Sequence, residues 1–162
     1  MKRFLEWIGL KEKLHNKEHK PPLFKEGEVW WCYWGENVGI EINGKNDQFT
    51  RPVFILKKYD KYSFLGLPLS TKIKTGTWYV NINFAGLDQT ISLSQSRVFD
   101  YKRLKEKIGE MNTEEIDKIE LVYLDLHSHK KIDPSQSLAK VVGNPKYNVI
   151  IDESKNMSSF KV

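Results

Sequence analysis

The apolar residues near the start of the chain recur near helical spacing and predict one short amphipathic helix over residues 3–14. The polar sequence HNKEHKPP at 15–22 ends that pattern. The residues that carry the helical pattern are Phe4, Trp7, Ile8, Leu10 and Leu14.

From residue 28 the pattern changes to short β-like runs. EVWWCYW at 28–34 is strongly β-prone, and the polar, glycine-containing stretch at 35–50 is typical of a long loop. The runs RPVFILKKY and YSFLGLPLS predict a hairpin around Asp60 and Lys61. Three more β-like runs follow, namely TWYVNIN, TISLSQ and RVF.

The period changes again after residue 99. Asp100 is placed to cap a helix carrying Leu104, Ile108 and Met111 on one face. Asn112 and Glu115 form a capping-box pattern that predicts a second helix. Its apolar face would consist of Ile116, Ile119, Val122 or Tyr123, and Leu126.

Short sequential strands followed by terminal helices indicate a mainly β fold, a small antiparallel barrel with helices packed against it. We expect an N-terminal helix and linker at 1–22, the barrel with its C-terminal helices at 23–126, and a C-terminal extension at 127–162. In the extension, DPSQS reads as a loop and YNVIID as an added edge strand.

Composition narrows the possible functions. A chain of 162 residues with a net charge of +5 is the size of one domain and is compatible with a polyanionic partner. Cys32 is the only cysteine, which excludes an internal disulfide. The opening apolar stretch is too short for a signal peptide, and no run reaches the ~18 apolar residues of a membrane span, so we expect a cytoplasmic protein.

The histidines argue against several common catalytic sites. All four lie in predicted helix ends or linkers, outside the β segments where a nucleophilic triad would be held. The pair in HSH at 127–129 has no third ligand nearby, so no metal is expected, and no cofactor motif is present.

The two outer ends of the predicted hairpin bring together Arg51, Ser70 and Thr71. An arginine fork suits a phosphodiester, and the hydroxyls could orient it. With Glu41 from the preceding loop as a proton acceptor, such a group could cleave RNA, which supplies its own 2′-hydroxyl nucleophile. A structural salt bridge of Arg51 at the strand start is the alternative.

The segments GEVWWCYW, GENVGIE, RPVFIL, LPLSTK and SLSQSRVFDYKRLKEKIGEMNTEEIDKI resemble, in order and spacing, the MazF/PemK toxins. The resemblance covers about residues 27–126. It implies an SH3-like barrel of the PemK/CcdB type, a homodimer, and metal-independent cleavage of single-stranded RNA under restraint by a cognate antitoxin. A barrel that only binds a partner, or a CcdB-like topoisomerase poison, are the alternatives.

The resemblance also assigns roles to single residues. Arg51 matches the catalytic arginine, Ser70 stands where the family usually has threonine with Thr71 next to it, and Glu41 matches the loop acid. Ser92 and Ser94 replace an arginine and an aspartate that some relatives use, which places any activity on the Arg51 side. Later motif positions are Gln95, Arg97 and Asp100, and candidate RNA contacts are Trp34, Asn37, Lys57, Lys72 and Lys74.

Overall fold

The structure is a computed structural model and describes residues 2–128. Residues Met1–Leu126 form one compact unit. Two 3₁₀ turns, Leu93–Gln95 and Tyr101–Arg103, separate some of the strands. The main elements in chain order are α1 (Phe4–Asn16), β1 (Glu28–Tyr33), β2 (Thr50–Lys58), β3 (Ser63–Ser70), β4 (Tyr79–Phe84), β5 (Leu87–Ser92), β6 (Arg97–Asp100), β7 (Leu104–Glu110) and α2 (Thr113–His127).

All the strand pairings within residues 2–128 are antiparallel, in the order β4-β5-β3-β2-β1-β7, with β6 added on β3. The fold is therefore mainly β with helices, as predicted. The closed barrel is not confirmed, because no backbone pairing joins the end strands β4 and β7 in this part of the chain. They meet through a side chain instead: a Cβ placed on Gly109 would lie 3.2 Å from the ring of Phe84.

The two faces of the sheet carry separate hydrophobic clusters. Phe54 and Leu56 of β2 point into one cluster, which packs against α2, whereas Val53 and Ile55 point into the other. This alternation follows from the period of two in a strand. The second cluster holds the aromatic residues Phe24, Trp34, Phe64, Phe99 and Tyr101.

The hairpin turn is fixed by a single carboxylate. Oδ1 of Asp60 accepts hydrogen bonds from the backbone N–H groups of Tyr62 and Ser63 at 2.6 and 2.7 Å. Aspartate is favoured in turns because its side chain can replace backbone acceptors in this way. The register pairs Val53 with Pro68 and Phe54 with Leu67, which confirms the predicted hairpin.

The helix predicted after Asp100 is wrong. Leu104–Glu110 is strand β7, paired with β1, and Asp100 caps a 3₁₀ turn by accepting from the N–H of Lys102. Leu104 and Ile108 are four residues apart, a spacing that fits one face of a helix and also one face of a strand. The segment is a strand because β1 would otherwise have an open edge, whose backbone N–H and C=O groups need hydrogen-bond partners.

The second predicted helix is confirmed as α2. Oδ1 of Asn112 accepts from the N–H of Glu115 at 2.8 Å, which caps the first turn. The Glu115 carboxylate does not complete the capping box but accepts from the N–H of Asn83 on β4 at 3.0 Å. The predicted apolar face packs against the sheet through Ile116, Ile119, Val122, Tyr123 and Leu126.

Glu28 at the start of β1 is a buried carboxylate with three donors. It accepts from Nζ of Lys107 at 2.7 Å, from Nε1 of Trp30 at 2.8 Å and from the N–H of Lys25 at 2.9 Å. Burial acts to raise the pKa of Glu28, but these hydrogen bonds outweigh it and hold the pKa below its ordinary value of 4.5. The carboxylate therefore stabilises the junction of β1 with β7.

We expect Glu28→Gln to lower the free energy of unfolding by about 2 kcal/mol at pH 7, as is typical for hydrogen bonds to a charged group. Because the pKa of Glu28 is lower in the folded than in the unfolded protein, the ionised carboxylate stabilises the folded state at pH values above the unfolded pKa. This stabilisation is lost as the pH falls through the folded pKa. The difference between variant and wild type should therefore shrink below about pH 4 in urea titrations. Glu110→Gln, which removes an exposed partner of Lys107, is the control, and equal losses would contradict a special role for Glu28.

The predicted loop DPSQS, the predicted strand YNVIID and nearly all of the predicted 127–162 extension lie outside the described residues. The division at residues 22 and 23 stays a prediction. Among residues 2–128, no helix has the length and apolar content needed to cross a membrane.

Candidate active site

Arg51 lies at the outer end of β2 and is only 9% exposed. Its Nε and Nη2 donate to the carbonyl of Asn43 at 3.0 and 2.8 Å, and its Nη1 donates to the carbonyl of Leu69 at 3.1 Å. Burial lowers the pKa of Arg51. The side chain thus joins the loop before β2 to the end of β3, and the salt bridge considered from sequence is replaced by bonds to carbonyls.

Ser70 and Thr71 lie at the end of β3 that Arg51 contacts. The β2–β3 pairing extends to Val53 and Pro68, and beyond it Nη1 of Arg51 donates to the carbonyl of Leu69, the residue before Ser70. Oγ of Ser70 accepts from the N–H of Lys72 at 3.1 Å, which leaves its own proton available to donate. Thr71 is exposed and follows directly after β3.

Residues 35–49, here called the site loop, lie over this hairpin end and are held by side chains. The carbonyl of Ile42 accepts from Nε1 of Trp34 at 2.6 Å and from Nδ2 of Asn37 at 2.7 Å. The N–H of Ile42 donates to Oε1 of Gln95 at 3.0 Å. Together with the bonds from Arg51 to Asn43, these contacts fix the middle of the loop.

Glu41 is on the exposed part of the site loop. Its Oε2 accepts from the N–H of Val38 at 3.1 Å, which closes a local turn. Burial, and after it the nearby Arg103, lower the pKa of Arg97 to about 10, and the charge of Glu41 opposes this shift only weakly. No hydrogen bond or salt bridge within residues 2–128 joins Glu41 to Arg51, so the structure does not bring the two together as the sequence hypothesis required.

Two of the predicted RNA contacts have structural roles here. Trp34 is only 2% exposed and packs against Phe99 in a tilted arrangement with ring centres 5.2 Å apart, so the indole is not open to a base. Nδ2 of Asn37 donates to the Ile42 carbonyl within the site loop, and its Oδ1 accepts from Nη1 of Arg97 at 3.3 Å. Trp34 directly follows β1, and the alternation of side chains between the two faces of that strand directs the indole into the aromatic cluster.

The predicted lysines divide into two groups. Lys57 is at the far end of β2, six residues or ~20 Å along the strand from Arg51, and pairs with Glu26 at 2.9 Å. It is therefore not part of this site. Lys72 and Lys74 are two and four residues after Ser70, and Nζ of Lys74 lies 5.0 Å from the centre of the Tyr79 ring.

Arg97 and Arg103 form the floor beneath the site loop. The guanidinium of Arg97 lies 4.2 Å from the ring centre of Trp34 and donates through Nη2 to the Trp34 carbonyl. Nη1 of Arg103 donates to the carbonyl of Tyr33 at 2.9 Å, and burial lowers its pKa. Arg97 and Arg103 both donate hydrogen bonds to backbone carbonyls, so Arg97, which matches a later motif position, has a structural role.

Sequence reasoning missed the exposed Trp78, which lies between Lys74 and Tyr79 on the segment that follows Ser70. The strand pattern of TWYVNIN includes Trp78, whereas β4 begins only at Tyr79, so Trp78 lies just before the strand. Among the described residues, no cluster of three His, Cys, Asp or Glu side chains is arranged to hold a metal ion. Burial raises the pKa of Cys32 to about 12, which excludes it as a thiolate nucleophile near neutral pH.

Comparison with protein families matches residues 25–122 to the PemK-like, MazF-like toxins of type II toxin-antitoxin systems. MazF (Form-I) from Deinococcus radiodurans shares the fold, with a TM-score of 0.55 and 17% identity over 67% of this chain and 97% of that chain. A comparison with curated protein sequences gave no match.

Two mycobacterial structures are also similar. An endoribonuclease has a TM-score of 0.48 and 15% identity, over 67% of this chain and 92% of that chain. An endoribonuclease in complex with its cognate antitoxin has a TM-score of 0.46 and 15% identity, over 61% of this chain and 89% of that chain. Helix α1 lies before the first residue of the family match.

Proposed function

The chain belongs to the PemK-like, MazF-like toxins of type II toxin-antitoxin systems, and we propose that it is an endoribonuclease that cleaves single-stranded RNA without a metal ion. The observation that carries this proposal is the grouping of Arg51, Ser70 and Thr71 at one hairpin end, beside a loop that carries Glu41. We also propose a cytoplasmic location, where such a substrate is present.

In the proposed reaction the 2′-hydroxyl of RNA attacks the adjacent phosphorus and gives its proton to the Glu41 carboxylate. The bond from phosphorus to the 5′-oxygen breaks, and that oxygen takes up a proton from solvent. The products are a 2′,3′-cyclic phosphate and a 5′-hydroxyl. Ser70 or Thr71 donates to a phosphoryl oxygen and orients it.

Arg51 would stabilise the charge that builds on the phosphoryl oxygens. A guanidinium has five N–H donors, and three of them bind the carbonyls of Asn43 and Leu69. Two donors remain for a phosphate, but the group is buried. Binding of RNA therefore requires the site loop to move away from Arg51 and to bring Glu41 towards the phosphate.

The bound RNA strand would continue from the hairpin end along the segment after Ser70. There Lys72 and Lys74 supply positive charge, and Trp78 supplies an exposed aromatic face. We further propose that the curved sheet corresponds to an SH3-like, PemK/CcdB-type barrel and that the protein forms a homodimer. A cognate antitoxin would compete for the same basic surface with an acidic segment.

We expect the purified full chain to cut single-stranded RNA in excess EDTA and to leave 2′,3′-cyclic or 3′-phosphate ends. Mass spectrometry of the fragments identifies those ends. Ser70→Ala and Thr71→Ala in the same assay show which hydroxyl acts on the phosphate. Inactivity in EDTA with rescue by a divalent metal would overturn this mechanism, and inactivity under both conditions would favour a module that only binds.

A further inference from the structure

The N-terminal residues, which precede the family match, bind one end of the site loop. Nζ of Lys2 lies 3.3 Å from Oε1 of Glu36 and donates to the carbonyl of Asn37 at 2.9 Å. The N–H of Arg3 donates to Oε2 of Glu36 at 3.4 Å. Two adjacent residues at the chain start therefore hold two adjacent residues at the loop start.

The same segment also binds the other end of the loop. Nη1 of Arg3 pairs with Oδ1 of Asp47 at 3.0 Å, and its guanidinium lies 4.9 Å from the ring centre of Phe49. The ring of Trp7 lies 5.7 Å from the same phenylalanine. Both ends of the loop are thus joined by one short stretch of chain.

Trp7 is the buried anchor of this contact. The backbone of Gly35 lies so close to the indole that a Cβ there would be 2.5 Å from it, and Gly35 also has a φ of +103°. The guanidinium of Arg103 lies 5.3 Å from the ring centre of Trp7. The indole is thus sandwiched between the first residue of the site loop, Phe49 and the cationic floor.

We propose that Lys2, Arg3 and Trp7 form an N-terminal latch that holds the site loop closed over Arg51 and thereby limits access of RNA. This inference rests on the proposed function for its effect on cleavage. The closed loop occupies three donors of Arg51 with carbonyls of the protein, so a latch that stabilises this state lowers the population that can bind a phosphate.

The latch residues are positioning residues, since they touch the loop and not the phosphate site. Breaking the latch should raise the fraction of open molecules and lower KM, while kcat should change little because the reacting groups are intact. We expect Trp7→Ala to lower KM about tenfold, and a Lys2→Gln/Arg3→Gln double variant to lower it about threefold. Trp7→Phe keeps an aromatic anchor and should restore most of the wild-type KM.

Hydrogen exchange of the full chain tests the latch without RNA. The N–H groups of Ile42 and Gly44 bind Gln95 and the Gly35 carbonyl, so they should exchange about tenfold faster in Trp7→Ala. The N–H of Gly27, which binds the carbonyl of Ile55, should be unchanged. Leu5→Ala, on the same helix and 86% exposed, is the matched control.

Each outcome decides between the proposals. Unchanged exchange at Ile42 and Gly44 in both latch variants would overturn the latch, whether or not the protein cleaves RNA. Faster exchange at every amide, including that of Gly27, would show a purely structural helix and would also overturn it. Faster loop exchange with a higher KM would overturn the inhibitory direction, whereas a wild type that cleaves no RNA would refute only the proposed function.

Discussion

Arg51→Ala is expected to lower the rate of RNA cleavage by about 10²- to 10³-fold, the usual cost of removing a group that stabilises the developing negative charge of a transition state. A guanidinium is suited to the charge on a pentacoordinate phosphorus, and Arg51 binds the carbonyl of Leu69, the residue before Ser70. The measurement is single-turnover cleavage of a fluorescent RNA in EDTA, which separates the chemical step from product release.

The same substitution also removes contacts that hold the fold, so stability has to be measured beside activity. Three bonds to the carbonyls of Asn43 and Leu69 are lost, and we expect a fall of about 2 kcal/mol in the free energy of unfolding. Arg51→Lys keeps the charge but not the fork and should recover little activity. Lys57→Ala, at the far end of β2, is the control, and cleavage by Arg51→Ala within tenfold of wild type would contradict the assignment.

Arg51 has two roles that follow from one position. In the closed structure it is the bond between the site loop and β3, and in the proposed reaction it is the cation at the phosphate. A single guanidinium cannot fill both roles with all of its donors at once. RNA binding and loop closure are therefore in competition, and the latch at Trp7 acts on that balance.

The parts of the fold that local patterns determine were predictable from sequence. The hairpin follows from two β-prone runs around Asp60, and α2 follows from Asn112 and its apolar face. The strand Leu104–Glu110 was mistaken for a helix because its apolar spacing fits both periods, and only the open edge of β1 settles it. That edge is a tertiary feature, invisible to a local pattern.

The position of Arg51 at the hairpin end was predictable from sequence, but its burial was not. The predicted hairpin grouped Arg51 with Ser70 and Thr71, yet nothing local showed that the guanidinium would bind the Asn43 carbonyl. Trp34 was assigned to RNA because aromatic side chains stack on bases, whereas its strand alternation directed it into the core. The contact of Trp7 with Gly35 joins residues 28 positions apart in sequence and leaves no signal in either segment alone.

Phe99→Ala is expected to lower the free energy of unfolding by about 3–5 kcal/mol, the usual cost of removing a fully buried phenyl ring. The ring is 2% exposed, stacks on Phe64 with centres 5.5 Å apart, and also contacts Trp34. Its neighbour Gly66 leaves room for it, because a Cβ there would lie 3.0 Å from the ring.

The loss should reach the candidate site, because the guanidinium of Arg97 lies 4.7 Å from the Phe99 ring centre and in turn holds the Trp34 carbonyl below the site loop. Urea denaturation gives the free energy, and Val98→Ala, next along β6 and 59% exposed, is the matched control, expected to change it by less than about 0.5 kcal/mol. A domain of this size is stable by roughly 5–15 kcal/mol, so the Phe99 variant should lose about a fifth or more of its stability. A loss below about 1 kcal/mol would mean that the aromatic cluster relaxes around the cavity and does not support the loop rigidly.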